Sequence, residues 1–324
     1  MQQKSFSIGI DIGGTNTSMG IVNRRGELLE QRNLSTKDYE TPELFIAAIK
    51  QELLPIIEQY GRSHISGIGI GAPNANFYTG QIAMAANLRW KGTIDLRALM
   101  QQAMELSVTV TNDANATAIG EMTYGAAKGM RDFIVVTLGT GVGGGFVANG
   151  QLIYGHDGFA GELGHIIAVR NGRPCGCGRN GCLETYTSAT GIVRTATELL
   201  AKIDQKEYEP THPDWLVAVW KERGQVASRD IHKAALAGDP LAIEIFEFTG
   251  KILGTSLADM VAITSPQAII FFGGLAKAGD FLLRPVKHHM EESMLPIFKD
   301  KIQIIPSGLE ERDAAILGAA ALSW

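Results

Sequence analysis

Isoleucine alternates with small and polar residues at the start of the chain. In "SFSIGIDIGG", Ile8, Ile10 and Ile12 define one face with period two, which predicts a strand ending in a glycine turn. The stretch "NTSMGIVNRRGELLEQRNLS" continues the pattern, with "NRRG" as the next turn, so residues 5–35 read as three short strands. "TPELFIAAIKQELLPIIEQYG" reads as a helix, with Thr41 as its cap, Pro42 at the first position and Gly61 at its end. Pro55 is expected to kink or interrupt it, because proline removes a backbone donor. "ISGIGIGAP" and "LSVTVTND" read as strands and "ANATAIGEMTYGAA" as a small-residue helix. The order is three strands, helix, strand, helix, strand, helix.

The pattern then begins again. "FIVVTLGTGVGGGFVANGQLI", from Phe133, is a strand, a Gly/Thr turn and a second strand, with Gly150 matching Gly26. "AIIFFGG" and "KIQIIPS" are strands, and "ERDAAILGAAAL" is a closing helix that echoes "TNDANATAIGEM". The chain therefore reads as a duplicated α/β unit with extra material between roughly 155 and 265. The expected domains are 1–112 with 309–324, a small α/β domain, and 113–308, a larger one carrying a loop at 161–184. Two such units are expected to enclose a cleft, a common place for ligands.

Composition narrows the partners. With 29 basic and 34 acidic residues the formal charge is -5, which leaves no basic footprint for nucleic acid or an anionic membrane. No run of about 18 apolar residues offers a bilayer span. The N-terminus enters a strand pattern directly, without an apolar signal core, so a cytoplasmic protein is expected. The three cysteines, an odd number within eight residues, suit a metal in a reducing compartment better than disulfides.

Two glycine-rich turns stand at equivalent points of the two halves. "DIGGTN" (Asp11, Gly13, Gly14, Thr15, Asn16) and "TLGTGVGGG" (with Gly139, Thr140, Gly141) both follow strands. Their glycines can reach positive φ and turn backbone N–H groups outward, as a phosphate cradle requires. One such turn alone would be read as a hairpin; a duplicated pair suits a polyphosphate better. Neither matches the P-loop or dinucleotide fingerprint. "FFGGLAKAG", with Gly273 and Gly274, offers a third close backbone approach that could flank a nucleotide base or ribose.

"VTVTNDANATA" places Asn112 and Asp113 between a strand and a helix. Asp113 could simply cap that helix. It could instead accept the proton of a substrate hydroxyl in phosphoryl transfer, where one carboxylate orients the nucleophile. The flanking turns favour the second reading. Asn87, in the loop "ANLRW", could hydrogen-bond a sugar hydroxyl or satisfy a turn.

Cys175, Cys177 and Cys182 form C-x-C-x4-C among glycines, and His165 lies ten residues before the first. The four can close a tetrahedral Cys3His zinc site, structural rather than catalytic. Glu162 and Glu184 flank the ligands, and each carboxylate could hold adjacent sugar hydroxyls. His165 could bind the metal through one ring nitrogen and a sugar hydroxyl through the other.

Taken in order, "DIGGTN", "NDANATAIGE", "TLGTGVGGG", "GFAGELGH", "CGCGRNGCLE", "FFGG" and "DAAILGAA" resemble the ROK family (repressor, open reading frame, kinase), in particular its glucokinase branch, across essentially the whole chain. The resemblance implies a duplicated actin-like/hexokinase (ribonuclease H-like) ATPase fold and ATP-dependent phosphorylation of a hexose at its 6-hydroxyl, glucose first. It implies Asp113 as catalytic base. Asn87, Asn112, Asp113, Glu162, His165 and Glu184 would hold the sugar, and His165, Cys175, Cys177 and Cys182 the zinc. Asp11 with its turn to Thr15, and Thr140 with its neighbouring glycines, would handle Mg-ATP. It also implies a homodimer. The loop "GAPNANF" departs from the family pattern, with Asn74 where glycine is usual after Gly-x-Pro. N-acetylmannosamine, N-acetylglucosamine, allose or fructose are the alternative substrates. A sugar-responsive repressor is the alternative class, disfavoured because such proteins carry a DNA-binding segment before the first phosphate motif and Asp11 stands too early for one.

Overall fold

The alternating isoleucines do form a strand, and both of its faces are covered. The computed structural model describes residues 4–83, 88–206 and 215–324. Its first half runs β1 (Phe6–Ile12), β2 (Asn16–Asn23), β3 (Leu28–Ser35), α1 (Pro42–Tyr60), β4 (Ile65–Gly71), β5 (Ile82–Ala83), β6 (Thr93–Ile94), α2 (Leu96–Met104), β7 (Val108–Thr111) and α3 (Asp113–Thr123). The second half opens with β8 (Phe133–Leu138), β9 (Val142–Ala148) and β10 (Gln151–Leu152). Then come α4 (Glu184–Thr187), α5 (Ala189–Asp204), α6 (Trp215–Arg223), α7 (Ser228–Leu236) and α8 (Pro240–Thr264). It closes with β11 (Ala268–Phe272), α9 (Asp280–Ser293), β12 (Gln303–Pro306) and α10 (Glu311–Ala321).

The two principal sheets repeat one topology. The first has the order β3-β2-β1-β4-β7 and the second β10-β9-β8-β11-β12. In the first, β1 and β3 flank β2 antiparallel, while β4 runs parallel to β1 and to β7. In the second, β9–β10 is antiparallel and β11–β12 parallel, matching the corresponding edges. A small antiparallel pair, β5–β6, was not foreseen from the sequence.

The chain divides into two compact units, Met1–Val135 with Gly145–Gly161 and Ser307–Trp324, and Val136–Gly144 with Glu162–Pro306. In the first unit, Ile8, Ile10 and Ile12 share a buried cluster with Phe45, Ile49 and Leu53 of α1. The Thr41 hydroxyl accepts the Leu44 N–H at 3.3 Å, and Gly61 ends the helix at φ 81°. Pro55 does not interrupt α1: the helix continues through it, with Leu53, Ile56 and Ile57 buried on either side of it. Burial of one apolar face outweighs the loss of a single ladder hydrogen bond.

The other face of the sheet presents glycine where a strand would usually present a side chain. Gly9 and Gly69 pair across β1 and β4, and a Cβ on either would overlap the α10 backbone, at the carbonyl of Ile316 or Ala319. The closing helix thus lies directly on the sheet, and Gly318 meets Gly120 of α3, where a Cβ would come 2.8 Å from the Gly318 Cα. Gly69→Ala should therefore lower the denaturant midpoint by the equivalent of about 1–3 kcal/mol, the usual cost of forcing a methyl into a packed interface. An unchanged midpoint would show that α10 moves aside freely.

In the second unit α8 and α9 pack closely at Gly250 and Gly254, where a Cβ would stand 3.1 Å from the Val286 nitrogen and 2.9 Å from that of Met290. Among the described residues no helix is long and apolar enough to cross a membrane.

Candidate functional site

In the first unit, parallel register lines up Asp11 of β1, Gly71 of β4 and Thr111 of β7 at the strands' carboxyl ends. The chain then turns at Asn112 into α3. The Asn112 Oδ1 accepts the Asn115 N–H at 2.7 Å, so the cap of α3 is Asn112. Asp113 is the first helical residue, and its Oδ1 accepts the N–H of Ala114 at 2.8 Å. The capping role that competed for Asp113 in the sequence is filled by its neighbour.

A Cβ at Gly71 would lie 3.8 Å from both the Asp11 Oδ1 and the Asp113 Cα, and 3.3 Å from the Ala116 Cβ. Glycine keeps the space between the two acids open. Burial, reinforced by the charge of Asp113, pushes the Asp11 carboxyl up to about 7. Asp113 is exposed as a residue, yet surrounding protein desolvates its carboxyl enough to raise it above the ordinary range, against the Ala114 hydrogen bond. Two carboxylates with raised affinity for protons at strand ends can take up a proton, or share a cation.

The turn after β1 is a tight hairpin, closed by the Gly13 N–H on the Asn16 carbonyl at 2.9 Å. Neither Gly13 nor Gly14 has a positive φ. Gly13 is required instead by space, since a Cβ would come 2.9 Å from the Asn16 oxygen. Thr15 and Asn16 are exposed at its tip. Asn74, in the turn after β4, does have a positive φ of 52°. Asparagine tolerates the left-handed region that glycine would otherwise occupy, which accounts for it at that position.

In the second unit the turn Thr137–Gly141 is held from several sides. The Gly143 N–H donates to the Thr137 hydroxyl at 3.1 Å and the Gly139 N–H to the Gly141 carbonyl at 3.1 Å. The Ala189 N–H reaches the Gly139 carbonyl at 2.8 Å, and the Thr190 hydroxyl the Thr140 carbonyl at 2.9 Å. Gly273, at φ 105°, approaches so closely that a Cβ would lie 2.6 Å from the Leu138 carbonyl oxygen; Gly274 follows in the same turn. Gly139 and Thr140 remain exposed. Like the first turn, this one reaches its shape without a positive φ at Gly139 or Gly141.

The cysteine loop converges as its spacing predicts. Gly178 and Gly181 turn the chain at φ 87° and 83°. His165 Nδ1 lies 3.7 Å from Cys175 Sγ, and Cys177 Sγ lies 3.6 Å from Cys182 Sγ. One ligand atom from each of the four residues falls within 4.8 Å of the others. A tetrahedral zinc with bonds of about 2.3 Å to sulfur and about 2.0 Å to nitrogen separates its ligands by about 3.5–3.8 Å, so the donor set fits that ion. The backbone N–H of Arg179 is the main cause that pulls the Cys177 thiol down to about 6, giving a thiolate at neutral pH. Arg173 braces the loop: it donates to Glu198 and to the Thr185 carbonyl, each at 2.8 Å, and lies over the Tyr186 ring.

The two glutamates flank the same imidazole. Glu162 Oε2 is 3.9 Å from His165 Nε2, and Glu184 Oε1 is 3.9 Å from its Nδ1. Glu184 also reaches the turn at Thr140 and Gly141, since a Cβ at Gly141 would lie 2.8 Å from its Oε2. Thus Asp11, Asn112 and Asp113 stand together in one unit, while the Thr140 turn, Gly273, Glu162, His165, the cysteines and Glu184 stand together in the other. Asn87 lies outside the described residues.

Three supporting residues escaped the sequence reading. Gly71 separates the acids, and Arg173 braces the cysteine loop. Glu121, fully buried in α3, accepts N–H bonds from Ala126 at 2.7 Å and Gly308 at 3.3 Å and the hydroxyl of Ser307. Its signal was a carboxylate in the interior of an alanine-containing helix.

The ROK family model matches residues 7–324. The glucokinase of Halalkalibacterium halodurans is 36% identical over 315 residues, covering 96% of this chain and 92% of that protein. The N-acetylmannosamine kinase of Citrobacter koseri is 29% identical over 318 residues, covering 98% of each. The crystal structure of a ROK family glucokinase from Streptomyces griseus in complex with glucose and AMPPNP superposes with a TM-score of 0.78 at 31% identity, covering 98% of both chains. The repeated sheets are those of the duplicated actin-like/hexokinase α/β fold.

Proposed function

Because the chain belongs to the ROK family, we propose that it is an ATP-dependent sugar kinase that phosphorylates a hexose at its 6-hydroxyl, with glucose as the preferred acceptor. The observation that carries this reading is the state of Asp113: relieved of capping by Asn112, raised in proton affinity, and placed beside Asp11 at the strand ends. As the sugar oxygen forms its bond to the terminal phosphorus of ATP, Asp113 takes the hydroxyl proton, and the bond to the bridging oxygen breaks to release ADP. The protein's share is positioning and charge stabilisation.

In this reading Asp11 holds Mg2+ through its hard carboxylate oxygens. The ion supplies charge neutralisation for the phosphates. Gly13 to Asn16, Gly139 to Gly141, and Gly273 with Gly274 offer backbone and hydroxyl donors to the nucleotide. Asn87, Asn112, Glu162, His165 and Glu184 hold sugar hydroxyls. Zinc at His165, Cys175, Cys177 and Cys182 orders the loop that carries both glutamates, and such thiolates fit a reducing cytoplasm.

A coupled ADP-release assay against a panel of hexoses and N-acetylhexosamines tests the proposal. Glucose should give the highest kcat/KM. The second reading, an N-acetylmannosamine kinase, is favoured by the match to such an enzyme along nearly the whole chain; a higher kcat/KM for N-acetylmannosamine would select it.

The raised carboxyl of Asp11 sets a pH dependence. Cation binding needs the ionised form, so activity should fall as pH drops through about 7 at low Mg2+. More Mg2+ favours the carboxylate and should move that limb to lower pH. The nucleotide's own phosphate contributes a shift that Asp11→Asn retains. The shift in the native enzyme should exceed that in the variant; equal shifts would contradict the assignment.

A further inference from the structure

Two histidines and a glutamate on the last turns of α9 are used by none of the chemistry above. His288 Nε2 lies 3.5 Å from Glu292 Oε1, and His289 Nδ1 lies 3.3 Å from Glu292 Oε2. The i,i+4 and i,i+3 spacings place Glu292 on the face of both imidazoles. One ligand atom from each of the three lies within 4.8 Å of the others.

The neighbouring helix α8 orients this group. Glu247 Oε1 stands 2.7 Å from His289 Nε2, and only 15% of the His289 side chain is exposed. A proton on Nε2 donated to Glu247 turns the Nδ1 lone pair towards the Glu292 carboxylate. A lone pair and a carboxylate repel at that distance unless a positive centre lies between them. A carboxylate behind a histidine is also the usual arrangement that fixes the tautomer of a metal ligand.

We propose that His288, His289 and Glu292 bind one divalent transition-metal cation of the zinc, nickel or copper class, with Glu247 as the outer partner that orients His289. Ligands held about 2.1 Å from such a cation at cis or tetrahedral angles stand about 3.0–3.4 Å apart, close to the two spacings observed. Two imidazole nitrogens select this class over magnesium or calcium, which prefer all-oxygen sites. Water completes the coordination, since His288 and Glu292 are open to solvent. Through Glu247 the cation also ties the end of α9 to α8.

The test uses the full-length, tag-free protein with its sulfur site saturated with zinc and excess zinc removed, titrated with Ni2+ by calorimetry at pH 7.5. One nickel should bind per chain and raise the melting temperature. His288→Ala and Glu292→Ala should each weaken that binding at least tenfold and remove the thermal shift. Glu247→Ala should weaken it by a smaller factor, consistent with an orienting partner. The competing arrangement is a doubly protonated His289 between two carboxylates, which binds no nickel. Absence of binding, or binding unchanged in the His288 and Glu292 variants, would overturn the proposal.

Discussion

Asp113→Asn should remove turnover and at the same time stabilise the folded chain at alkaline pH. The first effect follows from its proposed role. Asparagine keeps the size and the oxygen that accepts the Ala114 N–H, but it cannot take a proton from a substrate hydroxyl. Loss of a general base costs on the order of 10²–10⁴-fold in rate, while sugar affinity should change little. The second effect follows from the environment. Surrounding protein raises the Asp113 carboxyl, and burial with the Asp113 charge raises that of Asp11. A carboxyl whose folded value lies above its unfolded value holds its proton more tightly in the fold. Its contribution to stability is therefore present in acid and is lost as pH rises through the folded value. Asparagine has no proton to lose, and it relieves Asp11 of a neighbouring charge. The melting-temperature gain of the variant should be clear at pH 8 and should shrink towards pH 4. An aspartate kept only for the helix end would behave otherwise: its replacement would be neutral or destabilising at pH 8 and would leave turnover intact. Thermal melts at the two pH values, beside a turnover assay, separate these outcomes.

Loss of zinc should be the other large effect, and it should be local. Metal analysis is expected to find about one zinc per chain at the Cys3His cluster. Cys175 and Cys182 are both buried, so a structural cation there would replace packing that a glycine-rich loop cannot supply. Removal by chelation, or Cys182→Ser, should release protection of backbone amides across 161–184 and disorder Glu162 and Glu184 together. The KM for the sugar should rise at least tenfold while the KM for the nucleotide moves much less. The β1–β4–β7 sheet, whose core lies in the other unit, should keep its amide protection. A metal-free protein with unchanged sugar KM would contradict the role given to the loop.

What the sequence disclosed follows from the range of the interactions involved. The Cys3His cluster was legible because its four residues and the glycines that turn the chain all lie within one short stretch. The caps of α1 were legible for the same reason. Pro55 does not interrupt α1, since the burial of Leu53, Ile56 and Ile57 holds the helix together across it. The glycines of "DIGGTN" were expected to reach positive φ, but neither does, and Gly13 is needed for clearance to the Asn16 carbonyl instead. Gly9 and Gly69 could be seen alternating with isoleucine, yet only the fold shows that the glycine face is the bed for α10. The sequence left open whether Asp113 caps α3 or accepts a proton; hydrogen-bond geometry assigns the cap to Asn112. The proximity of Asp11 to Asp113 depends on sheet register across β1, β4 and β7, which no local pattern encodes.

The most direct measurement is a crystal structure of this protein with glucose and a non-hydrolysable ATP analogue. The account predicts an Asp113 carboxylate oxygen within hydrogen-bond reach of the sugar 6-hydroxyl, about 2.6–3.2 Å. A different side chain at that hydroxyl, with Asp113 out of reach of it, would contradict the account.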